Sequence, residues 1–314
     1  MLGAGLGTRL NKLTESLPKP LIPVFQKPLI TFAFDHLADI GCRSIVINTH
    51  HRPEAYERAF PEGRYGSDTE LIFRHEPVLL ETGGGIANVA DLLEDEDFCV
   101  YNGDILTDIP LQPALEAHLA SDNLVTMLLR SEGPSSHVAW NAESGKVTDI
   151  RNLVGTGDEG RYQFTGIYFV HPDFLELLQP GVKRSVIHSF LELIRDGARL
   201  GGFLADSGNW WDLGNRETYL EVHQEIMRGS FPSYANAARR AELVQSIHPS
   251  ARVDPSASID ETSCVGENAQ IGPGVELQNS LIWREASVEP DSILEGVIVR
   301  AGHVASGALK NVDI

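Results

Sequence analysis

Glycine stands at positions 3, 5 and 7, with Arg9 two residues further on and Lys19 beyond it in Pro18-Lys19-Pro20-Leu21. Glycines at alternate positions strip side chains from a loop, so its backbone N–H groups can approach phosphate oxygens closely. Arg9 offers those oxygens a planar fork, and Lys19 a point charge. A tight turn with a solvated arginine has the same sequence, and on these residues alone both readings stay open. Two familiar phosphate loops are excluded. There is no G-x-x-x-x-G-K-[ST], and the G-x-G-x-G spacing, without an acidic residue about 20 positions on, is not the dinucleotide fingerprint.

Two carboxylates come next. Asn102-Gly103-Asp104 follows the apolar residues 98–101, which places Asp104 at the carboxyl end of a strand, where open α/β sheets bind ligands. Asp212 lies in Trp210-Trp211-Asp212-Leu213-Gly214-Asn215, just before a helical pattern. Mg²⁺ is commonly held by one or two carboxylates plus substrate phosphates, and Asp104 with Asp212 could form such a pair. Turn or N-cap aspartates are the alternative, Asp212 especially. Glu81-Thr82-Gly83-Gly84-Gly85 runs into a helix whose first turn can face a base or a phosphate; a flexible loop is the other option. Gly166 interrupts an apolar strand, which means a bulge or a ligand close to the backbone. His50-His51 has no third ligand at metal spacing and reads as a pocket edge, while His248 and His303 read as solvated turn residues.

These residues need a scaffold. Apolar runs predict strands at 44–48, 70–74, 98–102, 124–129, 164–170 and 200–205, alternating with helices at 29–40, 53–60, 84–93, 111–121, 185–196 and 216–228. Such alternation predicts an α/β fold, Rossmann-like, with a mostly parallel sheet flanked by helices. Between 138 and 166 the alternation weakens and an antiparallel insertion is expected. Past residue 228 come a hinge at 229–233 and a connecting helix at 235–244. Then Ile247, Val253, Ile259, Val265, Ile271 and Leu277 recur at a period of six, each followed four residues later by a small or apolar residue. That hexapeptide period predicts a left-handed parallel β-helix, loosening after Ile282. The expected domains are 1–229, a linker at 230–246, and the β-helix at 247–314.

The chain has 314 residues and a net charge of −19, from 25 Lys and Arg against 44 Asp and Glu. This balance argues against nucleic acid or an anionic membrane surface as the main partner. Cys42, Cys99 and Cys264 lie far apart without a C-x-x-C, which speaks against a disulfide framework or a cysteine zinc site. No apolar run reaches the roughly 18 residues of a membrane span, and no signal-peptide pattern opens the sequence. A cytoplasmic protein is the expectation.

Taken together, residues 2–10, 18–23, 81–86, 102–104, 164–168 and 211–217 resemble, in order, the motifs of the NTP:sugar-1-phosphate nucleotidyltransferases, across the whole of 1–229. Residues 80–86 and 102–108 look most like the N-acetylmuramate-1-phosphate uridylyltransferases. The C-terminal repeat looks more like the longer mannose-1-phosphate guanylyltransferases and thymidylyltransferases. The resemblance implies Mg²⁺-dependent in-line attack of a sugar 1-phosphate on the α-phosphate of an NTP, giving an NDP-sugar and pyrophosphate. It implies that Leu2, Gly3, Ala4, Gly5, Gly7, Thr8 and Arg9 hold the nucleotide and its triphosphate, and that Lys19 sits by the α-phosphate or the attacking phosphate. Asp104 and Asp212 would bind the metal, Thr82, Gly83 and Gly84 border the base and ribose, and Gly166 offers backbone to the sugar.

Many relatives carry Glu-Lys-Pro before the strand with that glycine. Here Ile150-Arg151-Asn152 stands there, which makes Arg151 the candidate for the sugar phosphate. Relatives also have several apolar residues ahead of the first loop, so the first strand is expected to be truncated. The β-helix is expected to serve packing or assembly, a homo-oligomer included. Two other functions fit parts of the pattern: a non-catalytic regulatory subunit binding a nucleotide-sugar, and a hexapeptide-repeat acyltransferase using His248 or His303.

Overall fold

The computed structural model describes residues 1–5, 7–197, 199–229 and 245–314, so the connecting helix and most of the hinge expected at 229–244 lie outside the described residues. Two compact units emerge, one from Met1–Leu6 with Ala33–Trp210, the other from Gly7–Phe32 with Trp211–Ile314.

The first unit carries eight principal strands: β1 (Ser44–Thr49), β2 (Thr69–His75), β3 (Phe98–Tyr101), β4 (Val125–Arg130), β5 (Ser136–Asn141), β6 (Lys146–Ile150), β7 (Tyr162–Val170) and β8 (Leu200–Leu204). After helix α1 (Ile30–Asp39), it also holds α2 (Pro53–Ala59), α3 (Glu81–Asn88), α4 (Gln112–Leu119) and α5 (Val186–Arg195). β1 and β2 pair in parallel from Ser44↔Glu70 to Thr49↔His75. Leu2 makes parallel bridges to Asn48 on one side and Asn102 on the other, so it links the carboxyl ends of β1 and β3.

A six-stranded sheet runs in the order β3-β7-β4-β8-β6-β5. Here the expectation of a mostly parallel sheet is corrected: among the described residues of this sheet only β4 and β8 pair in parallel, and the sheets are mixed. β7 lies between β3 and β4 and opposes both. Its apolar residues are buried almost throughout, and an apolar run reads alike in either direction, so sequence carries no polarity signal there. The expected antiparallel insertion is present as the β5–β6 hairpin. Val125, Met127, Leu129, Tyr168 and Val170 form one core with Phe174 and with Val186, Phe190 and Leu193 of α5. No helix among the described residues is long and apolar enough to cross a membrane.

In the second unit, α6 (Arg216–Met227) opens with a capping box: the Asn215 side chain accepts from Thr218 N at 2.9 Å, and the Thr218 hydroxyl accepts from Asn215 N. Farther on, strands of two or three residues belong in turn to three parallel sheets. Val265 stands over Ile282 and Val299, Ile271 over Val288 and Ala305, and Leu277 over Leu294 and Leu309. These aliphatics make one buried column with Ala269, Val275, Ala286 and Val297. The spacing between rungs explains where the period of six loosens. Asn268 N bonds Ser250 Oγ 18 residues back, whereas Ser280 N bonds Ser263 Oγ only 17 residues back. One residue fewer between these paired strands shifts the frame while keeping the column filled.

Candidate active site

In the first unit, the opening loop is fixed by polar contacts to its backbone. Gly3 N donates to Asn48 Oδ1 at 2.9 Å, and the Tyr56 hydroxyl donates to Gly3 O at 3.0 Å. A Cβ on Gly3 would stand 2.8 Å from Asn48 O, so only glycine fits there. At Gly5 a Cβ would meet nothing in the protein within 4 Å, and packing does not account for that glycine.

Asn48 extends the network. Its Nδ2 donates to Glu76 Oε1 at 2.7 Å, and Glu76 Oε2 accepts from Leu80 N at 3.0 Å, just before α3. Glu76 is fully buried. The His50 ring bonds Glu76 O at 2.7 Å, which gives that histidine a place beside the network. Sequence reasoning missed Asn48 and Glu76, although both stand at the carboxyl ends of strands, the location that drew attention to Asp104.

The glycines of α3 have neighbours of their own. Gly83 N and Gly84 N donate to Arg184 O at 2.9 and 3.0 Å, and Thr82 Oγ1 accepts from Val186 N at 2.9 Å. A Cβ on Gly84 would run into Val182 O, and one on Gly85 would stand 2.5 Å from Asn48 Nδ2. Close approach of residues 182–186 therefore explains Gly83 and Gly84, and the Asn48–Glu76 network explains Gly85.

Asp104 is half-buried in the turn that follows β3. Asn102 N donates to Gly166 O at 3.1 Å, Gly103 N to Leu2 O at 2.9 Å, and Ile105 N to Asn102 O at 3.3 Å. Downstream, Asp108 Oδ1 accepts from Asn209 N, and Asn209 O accepts from the Thr107 hydroxyl at 2.6 Å. Gly166 has a φ of 82° and sits where the β7–β4 register shifts, so the bulge is real. A Cβ there would lie 2.6 Å from Asn102 Nδ2. Gly166→Ala is accordingly expected to cost about 1–2 kcal/mol from the left-handed backbone alone. Thermal unfolding of the variant beside wild type checks this.

Arg151 lies in an exposed turn after β6, with φ 57°, and its N–H donates to His137 O at 2.8 Å. No hydrogen bond or ion pair among the described residues ties it to Asp104 or Gly166. Its loop is anchored by Asp149, which accepts from the backbone of Ile150, Val154, Gly155 and Thr156 and from the Thr156 hydroxyl. Burial works against this charge, but the bonds from Val154, Thr156 and Ile150 outweigh it and hold the carboxyl below its usual range.

The second unit brings the cations together with Asp212. Gly7, at φ 62°, precedes the 3₁₀ segment Thr8–Thr14 that carries Arg9. The Arg9 guanidinium lies against Gly214, where a Cβ would stand 2.9 Å from Nη1. Lys19 is buried, and its Nζ stands 3.6 Å from Asp212 Oδ1. The N-cap of α6 is Asn215, so Asp212 is not the capping residue.

The family model described as nucleotidyl transferase matches residues 1–229. The chain belongs to that family. A second model, the GMPPB C-terminal domain, matches residues 244–306 of this nucleotidyltransferase. A mannose-1-phosphate guanylyltransferase of Mycobacterium tuberculosis is 31% identical over 94% of this chain and 82% of its own. A mannose-1-phosphate guanyltransferase of Pichia angusta is 29% identical over 95% and 85%. A UTP–glucose-1-phosphate uridylyltransferase of Synechocystis is 26% identical over 72% and 62%. Among solved structures, HddC of Yersinia pseudotuberculosis shares the fold with a TM-score of 0.60 at 21% identity, over 72% of this nucleotidyltransferase and 97% of that chain.

Proposed function

We propose that this nucleotidyltransferase transfers a nucleotidyl group from an NTP to a sugar 1-phosphate, with GTP and mannose 1-phosphate as the preferred pair. The pair rests on one observation: relatives named for mannose 1-phosphate align over nearly the whole chain, C-terminal stack included. An oxygen of the sugar phosphate attacks the α-phosphorus; the new P–O bond forms as the bond to pyrophosphate breaks in line. The nucleophile is already an anion, so no general base is needed. Rate enhancement is then positioning plus charge neutralisation.

The backbone of Leu2, Gly3, Ala4, Gly5, Gly7 and Thr8 would line the nucleotide and phosphates. Arg9 would draw charge toward the leaving pyrophosphate, and Lys19 would stand by the α-phosphate or the attacking group. Thr82, Gly83 and Gly84 would border the base, with Asn48 and Glu76 holding that edge in place. Gly166 would present backbone to the sugar, and Arg151 is the candidate for its phosphate.

A hard divalent cation takes carboxylate oxygens. Asp104 offers one from a half-buried strand-end turn, and Asp212 offers one beside an ammonium group rather than in a helix cap, so the donor chemistry fits. These two would hold Mg²⁺, which supplies neutralisation of the phosphate charge when bound.

The three parallel sheets we read as the faces of one left-handed β-helix of hexapeptide repeats, separated from residues 1–229 by a linker at 230–246. It would serve packing and could join copies into a homo-oligomer. A cytoplasmic location would suit a consumer of NTPs. Pyrophosphate release tests the substrate pair, with GTP, UTP, ATP, CTP and dTTP crossed against mannose, glucose, N-acetylglucosamine and N-acetylmuramate 1-phosphates. The expected hit is GTP with mannose 1-phosphate. UTP with N-acetylmuramate 1-phosphate would overturn the pair and leave the reaction class standing.

A further inference from the structure

The segment that carries Arg9 is strained. Asn11, two residues on, has φ 47° and ψ −121°, inside a run otherwise wound as a 3₁₀ helix. For a residue other than glycine this conformation costs about 1–3 kcal/mol and persists only where its surroundings over-determine it. Part of the restraint is local: the Thr14 hydroxyl donates to Gly7 O at 3.1 Å and Asn11 O at 3.2 Å.

The C-terminal stack adds bonds to the residues that follow Asn11. Arg300 Nη1 donates to Lys12 O at 3.2 Å and to Glu15 Oε2 at 2.9 Å, and its side chain is only 12% exposed. Lys12 Nζ donates to Asp313 O at 3.2 Å. The same end of the stack holds the other surface that Arg9 touches. Arg216, two residues after Gly214, donates through Nε to Asp313 Oδ1 at 2.7 Å and through Nη2 to Gly296 O. Side-chain exposures of 18% and 14% for that ion pair place it where charge-assisted bonds keep their strength. Arg9's own segment and the Gly214 surface beneath its guanidinium are thus tied to one platform.

We propose that Arg300 is a positioning residue for nucleotide binding: it sets the conformation of the Arg9 segment, and the C-terminal stack takes part in triphosphate recognition. This rests on the reading of Arg9 as a phosphate ligand. The experiment compares Arg300→Ala with Arg284→Ala, an exposed arginine of the same stack, in full-length protein. Steady-state pyrophosphate release is measured with each substrate varied in turn. Arg300→Ala should raise KM for the NTP about tenfold, the worth of one charge-assisted hydrogen bond. KM for the sugar phosphate should stay within about twofold, and Arg284→Ala should behave as wild type. In an Arg9→Ala background the Arg300 effect should vanish, because the group it positions is gone.

If Arg300→Ala does not yield folded protein, Arg300→Lys keeps the charge but loses the fork, and it should show the same split at about threefold. Equal rises in both KM values, or an Arg300 effect that persists without Arg9, would reduce Arg300 to a structural residue and overturn the proposal. Wild-type protein that releases no pyrophosphate with any substrate pair would instead bring down the functional reading, and this inference with it.

Discussion

Asp104→Asn should reduce pyrophosphate release at least about a hundredfold, and up to about a thousandfold, the range seen when a preorganised group facing transition-state charge is lost. The substitution is isosteric, and backbone groups of Asn102, Gly103 and Ile105 make hydrogen bonds that hold the turn. The fold should therefore survive, with an unfolding temperature close to that of wild type. What changes is the donor: an amide has a neutral oxygen where a divalent cation needs an anionic one. Rates and unfolding curves on the same preparation separate the two effects. A folded variant that turns over at near the wild-type rate would remove Asp104 from the metal role.

Mild acid should destabilise both units. His36 in the first unit and His223 in the second are buried, and burial pushes each from its ordinary value near 6.5 down to about 4. Both are wired as neutral rings. His36 Nε2 donates to Ile109 O at 2.8 Å while its Nδ1 faces the Tyr101 hydroxyl, and His223 Nδ1 donates to Tyr219 O while Nε2 accepts from Phe25 N. Between pH 6.5 and 4 the unfolded chain binds protons that the folded chain refuses. Stability is then complete above about pH 6.5 and falls as pH drops toward 4, by about 1.4 kcal/mol per pH unit for each histidine. Urea unfolding at pH 7.5 and pH 5 should differ by roughly 4 kcal/mol, a large part of a typical 5–15 kcal/mol total. His223→Gln, which keeps an acceptor toward Phe25, should remove about half of that slope. An unfolding free energy that is level across this range would show that neither ring is held neutral.

How much of this was legible in the sequence depends on distance along the chain. Strand and helix positions follow from apolar spacing, and Asp104 stands out because a strand stops just before it. Strand direction was not legible, since β7 is apolar on both faces. The role of glycine was legible only in part. Gly166 did mark a bulge, but a residue type cannot say whether its missing Cβ makes room for a ligand or for backbone, and at Gly83 and Gly84 the neighbour is residues 182–186. Long-range polar partners left no local trace. Nothing near Glu76 points to Asn48, and nothing near Arg300 points to Lys12, because each pair meets only after folding. Asn215 could have been preferred over Asp212 as the helix cap, since Thr218 three residues on completes the box.

The most direct test of nucleotidyl transfer follows the oxygens. Mannose 1-phosphate labelled with ¹⁸O on its non-bridging phosphate oxygens is incubated with GTP, Mg²⁺ and the protein, and both products are analysed by mass spectrometry. If the sugar phosphate attacks the α-phosphorus, the label stays in the sugar nucleotide and the pyrophosphate is unlabelled. Label in the released phosphate, or GTP consumed without formation of a sugar nucleotide, would contradict the reaction assigned to this chain.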